Sequence, residues 1–314
     1  MGQDANVDEE VPDLGPLPVR MTVDADMVRR LVDEQFHEWS HLPVTPVPES
    51  GWDNWTFHLG ESMSVRLPSA AEYALAVEKE RRWLPELAPQ LPLPIPSLCG
   101  SGVPGADYPY SWSIYGWLEG DRSSVDQIAD EKQFAFDLAC FVSALRAVDA
   151  SDGPRPGVHN WFRGATLRTF DETAQRSLAE LDGKLDVDLA AEIWTTALSS
   201  RWDGIEVWFH GDLAEGNLLM HNGRLAAVID FGTCGVGDPS CDLAVAWTTL
   251  KASGRQAFRD HLGIDDTTWA RGRGWALWKS LIRYAGALND ADASGAAVAR
   301  RVLEGIFAEY TQSP

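Results

Sequence analysis

The chain has 314 residues, 45% of them hydrophobic, which is enough for one large domain or two modest ones, each with its own core. Its 26 Lys and Arg against 47 Asp and Glu give a formal net charge of −21, which excludes attachment to DNA, RNA or an anionic membrane by bulk electrostatics. No apolar run approaches the ~20 residues of a membrane span and no basic-then-apolar leader is present, so we expect a cytoplasmic protein.

The N-terminal segment changes character within its first twenty residues. Residues 1–18 carry five acidic side chains, no basic one and three prolines, which predicts a disordered acidic tail. Without those five charges, −16 remains on the folded part. From Thr22 onward, apolar residues recur at helical spacing as far as Trp39, with Thr22 or Asp24 as the expected N-cap.

The next hundred residues predict a small sheet with one helix set into it. Strands are expected at 44–49, 55–59 and 63–67, followed by a helix over 70–84 that Pro85 ends. Two further strands fit 97–102 and 108–118. A helix between the third and fourth of five strands is typical of an α+β arrangement and not of a right-handed βαβ repeat.

Beyond Gly120 the pattern is mainly helical. Asn222-Gly223 is a strong turn signal and predicts a hairpin of 218–220 with 225–229, preceded by a strand at 207–209. The expected helices cover 126–148, 168–181, 188–202, 240–250, 256–262, 266–288 and 296–310. The predicted division is therefore a tail over 1–18, a sheet-rich lobe over 19–116 and a helical lobe over 117–314.

Cysteine and tryptophan usage adds two expectations. The four cysteines include no Cys-x-x-Cys pair, which argues against a zinc knuckle or a redox motif and favours buried free thiols. They are Cys99, Cys140, Cys234 and Cys241. Most of the 14 tryptophans are expected in the core, with one or two lining a ligand cleft that the sequence does not identify.

The residues around the predicted hairpin indicate chemistry. His210-Gly211-Asp212 precedes it, Asn217 opens it, and Asp230 closes it. Phosphoryl transfer needs these residue types: one carboxylate orients the attacking hydroxyl and accepts its proton, while an amide oxygen and a second carboxylate hold Mg²⁺ against the nucleotide phosphates. The hairpin is expected to bring all three groups together.

This pattern resembles the aminoglycoside phosphotransferase family, whose catalytic loop reads His-Gly-Asp-x-x-x-x-Asn and whose metal motif reads Ile-Asp-Phe/Trp-Gly. Both motifs are intact here, and Gly237-Asp238-Pro239 followed by Asp242 continues the match. The resemblance covers nearly the whole chain beyond residue 20. It implies a protein-kinase-like two-lobe fold, with a five-stranded antiparallel sheet and one intervening helix in the N-lobe, and a mainly helical C-lobe containing a small hairpin.

The resemblance also implies roles for single residues. Asp212 would be the catalytic base, and Asn217 and Asp230 would be the Mg²⁺ ligands. His210 and Asp242 would support the catalytic loop structurally.

The N-lobe is then expected to hold ATP or GTP. Arg66 stands where the family usually has a lysine that contacts the phosphates; it keeps the charge but changes the geometry. Its expected partner on the following helix is Glu80, with Glu78 as the alternative. The loop 50–54 would cover the phosphates and contribute Asn54. The hinge strand would be Trp112–Trp117, whose backbone groups receive the purine edge, and its nucleotide-binding residues would be Trp112, Ile114 and Tyr115.

The acceptor is expected to be a small hydroxylated molecule, with aminoglycosides as the first antibiotic class and macrolides as the second. Asp238, Asp265 and Asp266 are candidates for an acidic cleft lining that attracts a cationic acceptor, although Arg271 and Arg273 follow closely. The open alternative is that acidity only keeps the protein soluble. The sequence leaves three alternative functions: a metabolic kinase for an amino alcohol or sugar, a catalytically silent nucleotide-binding protein, and a metal-dependent hydrolase that would use His210 and Asp212.

Overall fold

The structure is a computed structural model that describes residues 18–48, 51–123 and 128–312. Four sequence predictions fall wholly or partly outside the described residues: the acidic tail, the last strand residue Glu49, the loop residue Ser50, and the helix start at Asp126. No helix in the described part is long and apolar enough to cross a bilayer.

The first helix, α1, spans Ala25–Gln35 and begins at Asp24, whose side chain accepts a hydrogen bond from the backbone N–H of Met27. Asp24, and not Thr22, is therefore the N-cap. The α-helix ends earlier than the apolar pattern predicts, and a 3₁₀ turn over His37–Trp39 replaces its last turn. The buried face of α1 packs on the sheet of the N-lobe.

Five strands form one antiparallel sheet, as predicted, in the order β1-β2-β3-β5-β4. Their bounds are β1 Val44–Pro46, β2 Asn54–Leu59, β3 Met63–Pro68, β4 Leu98–Gly102 and β5 Trp112–Gly116. The strand predicted over 108–118 is shorter because Pro109 cannot donate a ladder hydrogen bond and Gly105 and Tyr108 close a turn before it.

The intervening helix, α2, spans Ala71–Leu87 and continues two residues past Pro85. The prediction that Pro85 ends it was wrong by half a turn. A proline in the last turn removes one hydrogen bond, but its fixed φ is still helical, so the break falls just beyond it. The helix carries Glu80 and Lys79 on a buried face that is directed toward the C-lobe.

The C-lobe is built from seven α-helices, joined by short 3₁₀ turns, within the described residues. They are α3 Glu131–Ala147, α4 Asp171–Glu180, α5 Val187–Ser199, α6 Val245–Thr248, α7 Ala252–Leu262, α8 Asp266–Asn289 and α9 Ala293–Gln312. Most of α8 is buried, and it packs on α4, α5 and α9. The helix predicted over 240–250 is instead a 3₁₀ helix over Pro239–Ala244 followed by α6, and this tighter winding accompanies the buried hydrogen bonds that Asp242 makes.

Five short strands complete the C-lobe: β6 Asp121–Arg122, β7 Val207–Phe209, β8 Leu218–His221, β9 Arg224–Val228 and β10 Gly235–Gly237. The β8–β9 hairpin turns at Asn222 and Gly223, both with positive φ, as predicted. β10 pairs with β7 and β6 pairs with β8. Neither β6, with two residues, nor β10, with three, was predicted.

The cysteines only partly follow the sequence prediction. All four are free thiols, but only Cys234 and Cys241 are buried. Cys99 is exposed, and Cys140 is half-buried. The prediction of a buried site was wrong for Cys99 because β4 is the edge strand of the sheet and leaves one face open to solvent.

Candidate active site

A cavity of about 380 Å³ lies between the two lobes, and we call it the interlobe cavity. Residues from both lobes that the sequence singled out separately border it: Asn54, Arg66, Tyr115, Asp212, Asn217 and Asp230. The sheet contributes the first three, and the segments around the hairpin contribute the last three. The fold therefore brings together residues up to 176 positions apart in sequence, from Asn54 to Asp230.

The loop between β7 and β8 is held from below by two buried side chains. The carboxylate of Asp242 accepts hydrogen bonds from the backbone N–H of His210 (2.8 Å) and of Gly211 (2.7 Å). The ring of His210 accepts from the N–H of Asp212 at 3.2 Å, and its Nε2 lies 3.0 Å from the carbonyl of Ile229. The structure thus places His210 and Asp242 beneath this loop.

Gly211 is required at its position for two reasons. Its φ is +85°, a conformation that favours glycine, and a Cβ there would lie 2.6 Å from the carbonyl oxygen of Thr233. This close approach holds the loop against the segment that follows Asp230.

Asp212 has two direct side-chain partners. Its Oδ1 accepts from Nζ of Lys279 at 2.8 Å, and its Oδ2 lies 3.2 Å from Nδ2 of Asn217. Burial by itself would raise the pKa of Asp212, but the cations Lys279 and Arg163 outweigh burial and hold that pKa well below its usual range. Asp212 is therefore a carboxylate at neutral pH. The sequence prediction missed Lys279 and Arg163; a single lysine in the apolar stretch of α8 was the one available signal.

Arg66 connects the two lobes. Its guanidinium lies 2.7 Å from Oδ1 of Asp230 and 3.7 Å from Oε1 of Glu80. Burial opposes the charge of Arg66, but Asp230 and Glu80 outweigh it and raise the pKa, so the side chain stays cationic. Glu80, the first of the two predicted partners, is held in turn by the hydroxyl of Tyr115 at 2.7 Å. The alternative, Glu78, pairs instead with Arg81.

Lys79, the neighbour of Glu80, makes a second contact between the lobes that the sequence did not suggest. Its buried Nζ donates to the carbonyls of Gly232 (2.7 Å) and Cys234 (3.0 Å), and it lies 3.2 Å from Nδ1 of His159. Burial lowers the pKa of Lys79. These bonds attach α2 to the segment that directly follows Asp230.

The predicted hinge residues separate onto the two faces of β5. Trp112 and Ile114 are fully buried in the core beneath α1 and do not border the interlobe cavity. Tyr115 faces the other way and borders it, as do Gly116 and Trp117. Strand side chains alternate between faces, so the side chain of Tyr115 is directed toward the cavity and those of Trp112 and Ile114 toward the core. The predicted contact with the purine edge is made by backbone groups, and it stays a prediction.

Asp53 borders both the interlobe cavity and a second cavity beside it. Burial and the neighbouring carboxylates Asp230 and Asp212 raise the pKa of Asp53 to about 7, although Arg66 and Arg163 act in the opposite direction. The loop before β2 therefore brings an ionisable group close to Asp212. The sequence prediction included this loop but did not identify the residue.

The three acidic candidates for an acceptor lining border none of the described cavities near Asp212. Asp238 is buried in an ion pair with Arg271, at 2.8 Å, and caps the following 3₁₀ helix. Asp265 caps α8, and exposed Asp266 pairs with Arg259. All three carboxylates are thus used for helix starts and ion pairs.

Two further cavities meet at Asp212, one of about 580 Å³ and one of about 460 Å³. We call the larger one the aromatic cavity and the smaller one the helix-side cavity. Three tryptophans border the aromatic cavity, Trp52, Trp161 and Trp278. Arg163, Trp278 and Ile282 border both.

The amino-acid sequence is similar to those of known phosphotransferases. A family model described as "Phosphotransferase enzyme family" matches residues 44–275. A curated relative, an aminoglycoside 3'-phosphotransferase of Escherichia coli, is 29% identical over 123 residues. The aligned part is 36% of this chain and 42% of that relative, so it spans less than half the length of either.

Solved structures share the overall fold. Aminoglycoside 2'-phosphotransferase-IIIa in complex with GDP superimposes with a TM-score of 0.68 at 18% identity, covering 92% of this chain and 100% of that one. A ternary complex of APH(2'')-IIa with streptomycin and ATP gives 0.59 at 18%, covering 93% and 97%. Macrolide 2'-phosphotransferase type I gives 0.60 at 21%, covering 90% and 97%. The two-lobe α+β fold is therefore that of these kinases.

Proposed function

Since this chain belongs to the phosphotransferase enzyme family, whose model matches residues 44–275, we propose that it transfers the γ-phosphoryl group of ATP or GTP to a hydroxyl group of a small molecule. The observation that carries the proposal is the convergence of Arg66, Asp212, Asn217 and Asp230 on the interlobe cavity. Their residue types supply the charge, base and metal-ligand chemistry that phosphoryl transfer needs. Related structures whose descriptions name GDP and ATP support a purine nucleotide as donor.

The acceptor is proposed to be a hydroxylated antibiotic or a compound of similar size. Aminoglycosides and macrolides are the two classes that the descriptions of the related proteins name. A kinase for an amino alcohol or a sugar would use the same residues, so an acceptor panel must include both kinds of compound.

The residues around Asp230 fit a magnesium ion. Asp230 and Asn217 offer a carboxylate and an amide oxygen at the edge of the interlobe cavity, and hard oxygen ligands completed by phosphate oxygens and water are what Mg²⁺ prefers. Within the described residues, no cluster of three or more His, Cys, Asp or Glu side chains offers a competing all-protein metal site. Bound there, the ion would neutralise charge on the nucleotide phosphates during transfer.

The mechanism follows from the state of Asp212. Because its pKa is held well below the usual range, Asp212 orients the acceptor hydroxyl as a hydrogen-bond acceptor and takes its proton late. The bond from the acceptor oxygen to γ-phosphorus forms as the bond from γ-phosphorus to the bridging oxygen breaks. The proton passes to Asp212 and then to solvent. Lys279 and Asn217 hold the carboxylate in place throughout.

The hydrolase alternative is not supported by the position of His210. Both ring nitrogens are within hydrogen-bond distance of backbone groups of the described chain, Nδ1 of the Asp212 N–H and Nε2 of the Ile229 carbonyl. The ring is fully buried. No nitrogen is left to bind a metal ion.

The proposal is tested with Asp212→Asn. We expect turnover to fall by at least ~10²-fold, the scale of losing a positioned general base, with nucleotide affinity changed less than threefold. Coupled release of the nucleoside diphosphate measures turnover, and calorimetry measures affinity. Asp188→Asn, at an exposed position of α5, is the matched control, and it should leave both values unchanged. Turnover of Asp212→Asn within a few-fold of the parent would refute the role of Asp212.

The metal assignment has its own test in Asp230→Ala and Asp230→Asn. Both variants remove the anionic ligand, so we expect a higher Mg²⁺ requirement and strongly reduced transfer. The asparagine variant keeps a hydrogen-bond acceptor for Arg66, which separates loss of the metal ligand from loss of the contact between the lobes. Unchanged dependence on Mg²⁺ in both variants would show that Asp230 does not bind the metal.

A further inference from the structure

The aromatic cavity presents apolar ring surface next to Asp212. Its aromatic lining consists of Trp52, Tyr73, Trp161, Phe170 and Trp278. The ring centroids of Tyr73 and Trp161 lie 5.6 Å apart, and those of Phe170 and Trp278 lie 4.4 Å apart. Such walls bind flat or apolar molecules.

The polar atoms of two of these rings already have partners within the protein. The indole N–H of Trp278 donates to Oγ1 of Thr173 at 2.8 Å, and that of Trp52 donates to the hydroxyl of Tyr73 at 3.0 Å. A ligand therefore meets their apolar faces, and these N–H groups are not free to bind the many hydroxyl groups of a sugar-like acceptor.

Besides Asp212, Arg163 is the charged residue that borders both the aromatic cavity and the helix-side cavity. Its guanidinium carbon lies 4.9 Å from the ring centroid of Trp278 and 5.9 Å from that of Phe170. Its Nε is buried and has no hydrogen-bond partner among the described residues. Since Arg163 borders both cavities, its cation can attract an anionic oxygen of a ligand bound there.

The charge of these two cavities does not follow that of the chain. Although the chain carries 47 acidic against 26 basic side chains, the described lining residues are evenly divided. The basic ones are Arg163, Arg176, Lys279 and Arg283, and the acidic ones are Asp53, Glu180, Asp212 and Glu215. Two of the cations lie at Asp212 itself, the position that the accepting hydroxyl must reach. A polycation would meet repulsion at that position.

On these observations, and resting on the proposed function, we infer that the acceptor is a hydroxylated molecule with an aromatic or fused-ring body and an anionic oxygen group. The rings of the aromatic cavity hold its body, Arg163 binds its anionic group, and its hydroxyl reaches Asp212. Transfer then gives the phosphate monoester of this hydroxyl and a nucleoside diphosphate, and the hydroxyl proton is released. Asp238, Asp265 and Asp266, the residues expected to line an acidic cleft, do not border these two cavities.

Three probes that differ in one group test the inference: 6-(hydroxymethyl)-2-naphthoate, its carboxamide, and the corresponding primary amine. Phosphorylation is followed by coupled nucleoside diphosphate release, and binding is followed by tryptophan fluorescence, since three tryptophans border the cavity. We expect kcat/KM to rank carboxylate, amide, amine, with at least ~10-fold between the first and the last. Kanamycin serves as the polycationic comparison and should be a poorer acceptor than the carboxylate.

Two substitutions of Arg163 test whether the kcat/KM ranking of the three probes arises from contacts in the cleft. Arg163→Gln should lower kcat/KM for the carboxylate at least ~10-fold more than for the amide, because any effect of Arg163 on Asp212 is common to both probes; Arg163→Lys should restore part of the difference. Arg168→Gln, on the exposed side of the neighbouring 3₁₀ turn, is the control. An equal loss for carboxylate and amide would show that Arg163 acts only structurally, and would overturn its assignment.

Ile282→Glu gives a second readout in case Arg163 variants do not fold. Ile282 is 38% exposed on α8 and borders both cavities, so a carboxylate there should weaken the naphthoate and leave Mg-nucleotide binding unchanged. Leu288→Glu, on the same helix at 36% exposure and outside both cavities, is the matched control. A stronger naphthoate signal in Ile282→Glu would contradict the inference.

The outcomes separate this inference from the function it rests on. If Mg-nucleotide does not bind and no acceptor stimulates turnover, the proposed function fails. If Mg-nucleotide binds and kanamycin or the amine is the better acceptor, or if the naphthoate neither quenches fluorescence nor accepts phosphate, the kinase remains and the acceptor inference is wrong.

Discussion

Arg66 illustrates how one substitution within a motif changes geometry while keeping charge. Its guanidinium lies within reach of both Asp230 and Glu80, at 2.7 Å and 3.7 Å, and a planar fork with several donors makes that possible. Because the same side chain borders the interlobe cavity, it can exchange Asp230 for phosphate oxygens when a nucleotide binds.

Substitutions of Arg66 test whether this side chain exchanges Asp230 for phosphate oxygens. Arg66→Ala should weaken nucleotide binding and lower turnover together, each by ~10–100-fold, because charged hydrogen bonds contribute about 1.5–3 kcal/mol. Arg66→Lys should be only partly tolerated, since a point charge lacks the fork. Calorimetry and steady-state kinetics measure both, with exposed Arg30→Ala on α1 as control. Parent-like values for Arg66→Ala would place the phosphate contact elsewhere, for instance in the loop before β2.

The sequence predicted site residues that follow a motif of fixed spacing, and also Arg66 and Glu80 on a predicted strand and helix, but it missed Lys279 and Arg163. Asp212, Asn217 and Asp230 are recognisable because the hairpin fixes their spacing. Lys279 and Arg163 come from α8 and from a loop before α4, and they meet Asp212 only after the chain folds. Their effect on the pKa of Asp212 is a tertiary property, and no local pattern records it.

The loop before β2 contains a carboxyl group whose charge state the fold changes. Asp53 in this loop lies near Asp212 and Asp230 and is partly removed from water, which together raise its pKa from 3.8 to about 7. Its folded-state pKa is therefore above its unfolded value. The stability that its protonation contributes is fully present below pH 3.8 and is lost as the pH rises through about 7.

Replacement of Asp53 tests the direction in which its raised pKa makes stability depend on pH. Asp53→Asn removes the ionisable group, so the variant should gain stability relative to the parent as the pH rises from 5 to 8, by about 1 kcal/mol or more. Urea unfolding of both proteins without nucleotide, at pH 5, 6, 7 and 8, measures the difference. Glu61→Gln, in the exposed turn between β2 and β3, should show no such trend. A parent-to-variant difference that stays constant with pH would contradict the raised pKa of Asp53.

Prediction of the elements themselves was best where periodicity was long. The strands of the N-lobe, α2 and the long helices α8 and α9 were predicted in place, because burial of one face imposes a pattern over many residues. The strands β6 and β10 were missed, since their two or three residues pair only with distant partners. Within Trp112–Tyr115 every residue is buried, so alternation in the sequence does not indicate which side chain faces the cavity.

For the molecule as a whole, charge is distributed unevenly between surface and cleft. The formal net charge of −21 belongs to the entire chain, whereas the residues that border the two acceptor-side cavities are balanced. An approaching ligand therefore meets the field of the whole surface first and the local cations only on contact. Salt separates these two stages, because the Debye length is ~30 Å at 0.01 M and ~10 Å at 0.1 M.

The effect of the net charge on ligand encounter can be tested with an anionic ligand, Mg-ATP, whose binding is measured by stopped-flow tryptophan fluorescence. Raising NaCl from about 10 to 150 mM screens the long-range repulsion, so we expect the association rate constant to increase several-fold. The dissociation rate constant should change less than twofold, since salt screens close contacts in a partly buried complex much less than the long-range field. A variant with the five acidic residues of segment 1–17 changed to their amides has a net charge of −16, and it should show a weaker salt dependence. If association of Mg-ATP slows as salt is added, the cations of the cleft and not the charge of the whole chain control the encounter.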